Sequence, residues 1–219
     1  MTTEGSTAPD RPKRGRPPRA ELAAQRRREL IETAYAVFID KGYTAAGVND
    51  ITDRLGVATG TFYRYFDSKR DILDHVIDFG IEKMFDVARE AWGDGPPEDF
   101  EGFLTHVRAV GEAVLRAVDD EPGMIRMLMF EGTAVDAELT ARLLAVNEAL
   151  AAGTAAALEL GIAQGYLRND IDTRTLGRAI YMMLTPSMVD MMSGPLGPEA
   201  RAHNLDAILD LLLNGLRKH

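Results

Sequence analysis

The residues best suited to recognition chemistry in this chain run from Thr59 to Phe66, TGTFYRYF. Phe62 and Phe66 are four apart, so on a helix both point into one core. Thr59, Gly60, Thr61, Tyr63, Arg64 and Tyr65 are left to divide between solvent, a partner and the scaffold. Exposed Tyr and Arg on so short a segment make a surface of donors. Arg64 can donate to a guanine edge or a phosphate. Tyr63 can offer its hydroxyl to a phosphate or pack on a thymine methyl, and Gly60 lets a backbone come close. Tyr63 or Tyr65 could instead complete the core. Lys69 opens the next helix, where its ammonium and free backbone N–H groups could share one phosphate.

A second concentration of charge lies upstream. Residues 11–28 carry eight cations, Arg11, Lys13, Arg14, Arg16, Arg19, Arg26, Arg27 and Arg28, against the single acid Glu21. Within them PKRGRPPR resembles an AT-hook, an arm for the minor groove of A·T-rich DNA. Gly15 permits close backbone approach, Arg14 and Arg16 suit the narrow electronegative groove, and Pro17 stiffens the chain. A solubilising basic tail would have the same composition. Arg26, Arg27 and Arg28 sit at the N-terminal end of the first helix, the wrong end for its dipole. Phosphates could supply the missing negative charge, and Glu29 and Glu32 are nearer partners. The net charge is −9, but residues 1–80 sum to +1 and residues 81–219 to −10. A basic end can therefore face a polyanion while an acidic body stays clear of it.

Other chemistries find little support. There is no cysteine, and His75, His106, His203 and His219 are scattered. No metalloprotease, nucleophile-elbow, P-loop or paired-glycine motif occurs. Neither catalysis nor a metal or cofactor site is expected. No apolar run reaches the length of a membrane span, and the polar, basic N-terminus lacks a signal-peptide core. A cytoplasmic protein without membrane contact is the expectation.

The elements that must position these groups are helical. Ile31, Ala34, Tyr35 and Phe38 mark one face of a first helix within 21–45, closed by Lys41 and Gly42. Val48, Ile51 and Leu55 point inward from a second, ended by a left-handed Gly56. Thr59 to Phe66 is a third. Ser68 caps a fourth, with Asp71 closing a capping box, and this helix continues to about Trp92. Two short helices around a tight glycine turn are the helix-turn-helix pattern. Breaks at GDGPPED and DDEPG, a short apolar MIRMLMFEG, a long Ala/Leu helix over 134–164, a turn at GYLRNDID, a helix over 173–192 divided or kinked at Pro186, and a last helix over 199–217 complete the chain. The fold class is all-α with about nine helices. The expected division is a disordered basic arm over 1–20, a three-helix DNA-binding domain over 21–75, and a helical ligand-binding and dimerisation domain over 76–219, joined by the shared fourth helix.

The stretch KGY, V–DI–DRLGV and GTFYRYFDSKRDIL resembles the TetR family of bacterial transcriptional regulators. The resemblance is specific over 28–76 and rests only on helix pattern beyond residue 80. It implies a homodimer on a palindromic operator of double-stranded DNA, probed by a recognition helix from Thr59 to Tyr65 and released when a small molecule enters the second domain. Thr59, Gly60, Thr61, Tyr63 and Arg64 would face bases, and Thr61, Tyr63, Tyr65 and Lys69 phosphates. The sequence departs from the family before the second helix, where Ala46 and Gly47 replace a usual hydroxyl pair and Asn49 a commonly basic position. The basic arm offers compensation for lost phosphate contacts.

The dimer seam is expected on the last two helices, from Leu205, Ile208, Leu209, Leu212 and Leu216 with Leu176, Ile180, Met183 and Leu184. Burial of both stripes within their own domain is the alternative. Ligand lining is expected from Phe103, Val107, Met124, Met127, Leu128, Phe130, Met182 and Met188, with His106, Asn147, Glu148 and Tyr181 as polar guides. Adaptable methionines suit a small apolar or amphipathic effector, such as a drug-like aromatic or an acyl chain; an ordinary core uses them equally well. The rival to an effector-released repressor is a constitutive or architectural DNA binder, and activation is as compatible with the sequence as repression.

Overall fold

The structure, a computed structural model, describes residues 19–190, 194 and 196–216. Arg14 and Arg16, and the side chains of Phe130, Met188 and Leu216, lie outside the described residues. Among the described residues there are nine α-helices and no strand. They are α1 Arg19–Lys41, α2 Val48–Leu55, α3 Thr59–Phe62, α4 Lys69–Trp92, α5 Phe100–Asp120, α6 Pro122–Arg126, α7 Ala137–Ala163, α8 Thr173–Asp190 and α9 Gly197–Leu216. A single π-turn, Met127–Glu131, and a 3₁₀ turn, Gly132–Ala134, join α6 to α7.

The boundaries follow local chemistry. Asp99 and Asp136 accept from the backbone N–H three residues on, of Gly102 and Leu139, and so start α5 and α7. Ser68 does the same for Asp71 at α4. The reciprocal arm of that box reaches Asp67, not Ser68, since Asp71 Oδ2 accepts from the Asp67 N–H at 2.9 Å. Gly56 ends α2 at φ 71°, as the sequence predicts. Pro122 occupies the first turn of α6, where its missing N–H is harmless.

Three expectations need correction. The regular part of the third helix stops at Phe62, and residues 63–65 continue as a tighter turn, with the Tyr65 and Phe66 N–H groups both donating to the Phe62 carbonyl. α8 runs through Pro186 to Asp190 without dividing. α7 is long and apolar enough to cross a membrane by length and composition, although no such span was expected. It packs along α8 and carries Arg142 and Glu148, both ion-paired.

Burial forms two cores that do not coincide with the division at residue 75. The first joins Leu30, Phe38, Ile51, Phe62, Phe66, Leu73 and Ile77 to Leu115, Met124, Met127, Leu139 and Leu143. The reading head thus shares one apolar interior with the ends of α5, α6 and α7. The second core holds Phe100, Phe103, Leu158, Leu167, Ile180, Leu205, Leu209 and Leu212. Burying each such side chain is worth roughly 1.5–3 kcal/mol, so parting the head from the body would expose several of them.

Candidate nucleic-acid interface

α3 is positioned from beneath by Phe62 and Phe66, both buried in the first core. Thr59 Oγ1 donates to Asn49 Oδ1 at 3.2 Å, tying the start of α3 to α2. Gly60 is open on its outer side, with room for a Cβ. Tyr63 is 56% exposed and stands edge-on to Phe62. The Arg64 guanidinium lies 5.9 Å from the Tyr65 ring centre, a cation–π arrangement. Tyr65 is half-buried against the core. Thr59, Gly60, Thr61, Tyr63, Arg64 and Tyr65 therefore form a short run whose inner face is fixed and whose outer face is polar.

Lys69 departs from the expected phosphate contact. Its ammonium donates to the carbonyls of Tyr43 and Ala46, each at 2.8 Å, and lies 4.4 Å from the Tyr43 ring centre. It secures the loop between α1 and α2 from within. Asn49 remains exposed. Gly47 caps α2 without a hydroxyl, and Asp50 Oδ2 accepts from the Gly47 N–H at 2.8 Å.

Arg27 is also committed. Its Nη2 lies 2.7 Å from His75 Nε2, and its guanidinium stacks 5.0 Å from the Phe66 ring centre. A guanidinium can only donate, so Nε2 accepts and the imidazole proton sits on Nδ1. Arg26 pairs with Glu29 at 2.9 Å.

The remaining cations divide by location. In the body, Lys83, Arg108, Arg126, Arg142, Arg178 and Arg201 each hold a carboxylate. Among the described residues Arg19, Arg28, Arg64, Arg116 and Arg174 make no ion pair with a described side chain, and the first three of these lie on α1 and beside α3. In a chain of net charge −9, the three on α1 and beside α3 mark that end for a polyanion. Among the described residues no cluster of metal-ligating side chains occurs.

Polar bonds tie this head to the body. Tyr35 donates to Glu121 at 2.6 Å, and Lys83 to the same carboxylate at 2.5 Å. Burial raises the Tyr35 hydroxyl far above its ordinary range, reinforced by Glu121, so it stays a donor. Glu131 accepts from the Tyr43 N–H and from Arg126, whose Nη2 donates to the Ile39 carbonyl. Arg70 grips Asp136 through Nε at 2.5 Å and Nη2 at 3.3 Å and pairs with Asp74, which Arg142 also holds.

Residues 30–76 match the family model described as bacterial regulatory proteins, tetR family. Those residues carry the N-terminal segment of the TetR family. Its members are DNA-binding transcriptional regulators and not enzymes. The chain is 34% identical over 70 residues to the transcriptional repressor KstR2 of Rhodococcus jostii, covering 32% of this chain and 34% of that protein. It is 36% identical over 67 residues to the transcriptional activator FasR of Mycolicibacterium smegmatis, covering 31% of each. The chain thus spans about a third of the length of these curated relatives. The transcriptional regulator AcuR of Cereibacter sphaeroides is 27% identical over 185 residues, 83% of both chains. The solved structure of the fatty acid degradation regulator FadR of Bacillus halodurans shares the fold at a TM-score of 0.71 and 21% identity, covering 89% of this chain and 97% of that one.

The body departs from the sequence expectations. Met124, Met127 and Leu128 pack into the first core, while Phe103 and Val107 belong to the second. Met182 is 53% exposed, and the Tyr181 hydroxyl bonds Asn147 at 2.6 Å. His106 bonds the Gly102 carbonyl and packs at a tilt against Trp92; Glu148 pairs with Arg178. These side chains do not converge on one cavity, because the helices carrying them face different cores. Ile180, Leu205, Leu209 and Leu212 are buried within their own domain, with Leu176 and Ile208 against them, Met183 half-buried and Leu184 against the first core. The stripe read as a seam is in these positions an internal one. Among the described residues the large exposed apolar side chains of these two helices are Met182 on α8 and Leu211 on α9, which the sequence stripe could not separate from their buried neighbours.

Proposed function

We propose that this regulator binds a palindromic operator as a homodimer in the cytoplasm and represses until a small apolar or amphipathic effector releases it. The observation that carries this reading is the joining of an exposed, polar recognition surface to a body that shares its core. Thr59, Gly60, Thr61, Tyr63 and Tyr65 read or touch the duplex, with Asn49 alongside, and the basic arm with Arg28 adds contacts to phosphate. One short recognition helix reads few base pairs, and a two-fold pair doubles the read-out. Among the described residues Met182 and Leu211 are large exposed apolar groups on α8 and α9 that a second copy would cover. The bonds through Glu121, Glu131 and Asp136 give a rearrangement of the body a direct hold on the head. The names of two relatives, a fatty acid degradation regulator and the ketosteroid transcriptional regulator KstR2 of Mycobacterium tuberculosis, support an apolar effector class.

A second reading, a DNA binder without an effector, draws support from the division of the expected pocket residues between two cores. Selection of genomic fragments by the purified full-length chain separates the two. Recovery of one palindrome beside a few genes, with binding relieved by a fatty acyl or steroid compound, supports the regulator. Recovery of A·T-rich DNA at large without a palindrome overturns it.

A further inference from the structure

A cleft of about 330 Å³ opens between the first turns of α1 and the turn that follows α3. It is lined by Arg19, Arg26 and Arg64, with Tyr65, Gln25 and Glu29. The one carboxylate, Glu29, already accepts from Arg26 at 2.9 Å and from Gln25 at 3.0 Å. Arg19 and Arg64 have no carboxylate among the described residues. The Arg64 guanidinium lies 5.9 Å from the Tyr65 ring centre, and both residues line the same cleft as the first turns of α1. Three arginines from two separated parts of the chain thus line one cleft that is larger than a phosphate group.

We infer that this cleft seats a phosphodiester of the DNA backbone and that Arg64 serves there, not at a base edge. The inference rests on the DNA-binding reading and refines it, since the family resemblance places Arg64 among the base-facing positions. A guanidinium matches two phosphate oxygens with parallel N–H donors. Arg19 lines the cleft from α1 and Arg64 from the recognition turn, so one phosphate seated between them can bridge the two and fix the angle at which α3 enters the groove.

The test is the salt dependence of duplex binding by the full-length chain, measured on a mixed-sequence duplex and on a selected operator with its single-base variants. Arg64→Gln is expected to flatten the slope of log affinity against log salt by about 0.9, the loss of one phosphate, and to leave the ranking of operator variants unchanged. Arg19→Gln is expected to do the same, and the double variant to lose no more than about one phosphate in total. Arg64→Lys should keep most of the slope. Loss of discrimination at one operator position with an unchanged slope would make Arg64 a base reader and overturn the inference. An unchanged slope with unchanged ranking, or a double variant losing two phosphates, overturns the shared seat. Failure of the wild-type chain to bind either duplex would remove the DNA reading itself.

Discussion

Tyr35 on α1 donates to Glu121, 86 residues later at the start of α6, at 2.6 Å. Lys83 on α4 holds the other oxygen of the same carboxylate. One side chain thus ties two helices of the head to the body. Tyr35→Phe removes one of these bonds and leaves the ring in place. It is expected to lower unfolding stability by about 1–2 kcal/mol, seen as an earlier midpoint in urea. A midpoint equal to wild type would show that the bond contributes nothing net.

The same carboxylate sets a pH dependence. Burial raises Glu121, but hydrogen bonds from Lys83 and Tyr35 outweigh it and hold the group below its ordinary value of 4.5. Asp136 is held below 3.8, chiefly by Arg70 and then by the Leu139 N–H. Both are lowered in the fold, so their stabilisation is complete above the ordinary values and drains away as pH falls through the folded ones. Urea midpoints should be flat from pH 7 to about 5 and decline below about 4.5. The Tyr35→Phe chain should show a shallower decline. A decline that begins near pH 6.5 would implicate histidine instead.

Gly42 has φ 79°, and a Cβ there would sit 2.9 Å from Glu131 Oε1. Gly42→Ala is therefore strained twice over and should destabilise by at least about 1–2 kcal/mol. Faster hydrogen exchange at the Tyr43 amide should accompany it, because the Glu131 acceptor must move. Exchange no faster than wild type would mean that the loop adapts around the carboxylate.

A Cβ at Gly123 would meet the Ile39 carbonyl at 2.5 Å. Gly123→Ala must then lift α6 from the end of α1, an overpacking worth roughly 1–3 kcal/mol. The readout is a lower melting temperature. A weaker operator affinity at temperatures where the chain is still folded should follow, and affinity unaffected by the substitution would argue that α6 does not steer the head.

Tyr63 stands outside the core, so its removal should affect binding and not folding. Tyr63→Ala is expected to weaken operator binding by about tenfold, within the 1–3 kcal/mol of a specific contact, and to move stability by less than about 0.5 kcal/mol. Titration of a labelled operator, paired with urea unfolding, checks both. For the seam, Met182→Asp and Leu211→Asp should each shift the sedimentation of a dimer toward monomer; a dimer unmoved by both would place the seam elsewhere.

The fold was largely legible because its signals are local. Ser68 with Asp71, Gly56 and Pro122 act within one turn, and helical spacing put Phe62 and Phe66 inside. What escaped was side-chain commitment over distance. Lys69 looked free at a helix start, but its acceptors, Tyr43 and Ala46, come from a loop more than twenty residues earlier. Arg27 looked like a phosphate ligand until His75 arrived on α4. The stripe Leu205, Leu209 and Leu212 reads alike whether it faces its own core or a second copy, since periodicity gives a face and not what covers it. Met124 and Met182 share a residue type, and only the packing tells a core filler from a surface group.

The pairing of cations in the body also bears on how the molecule arrives at its target. Residues past 80 carry a net −10, while the unpaired guanidiniums of Arg19, Arg28 and Arg64 sit at the opposite end. Such a molecule is an electrical dipole, and the field of a duplex exerts a torque on it before any contact forms. The torque acts only within the screening distance, about 8 Å at 0.15 M salt. Encounters are therefore aligned in the last few ångströms of approach, head inward and body outward, and an aligned molecule can scan along the duplex while its acidic body repels a second strand that would otherwise cross-link it.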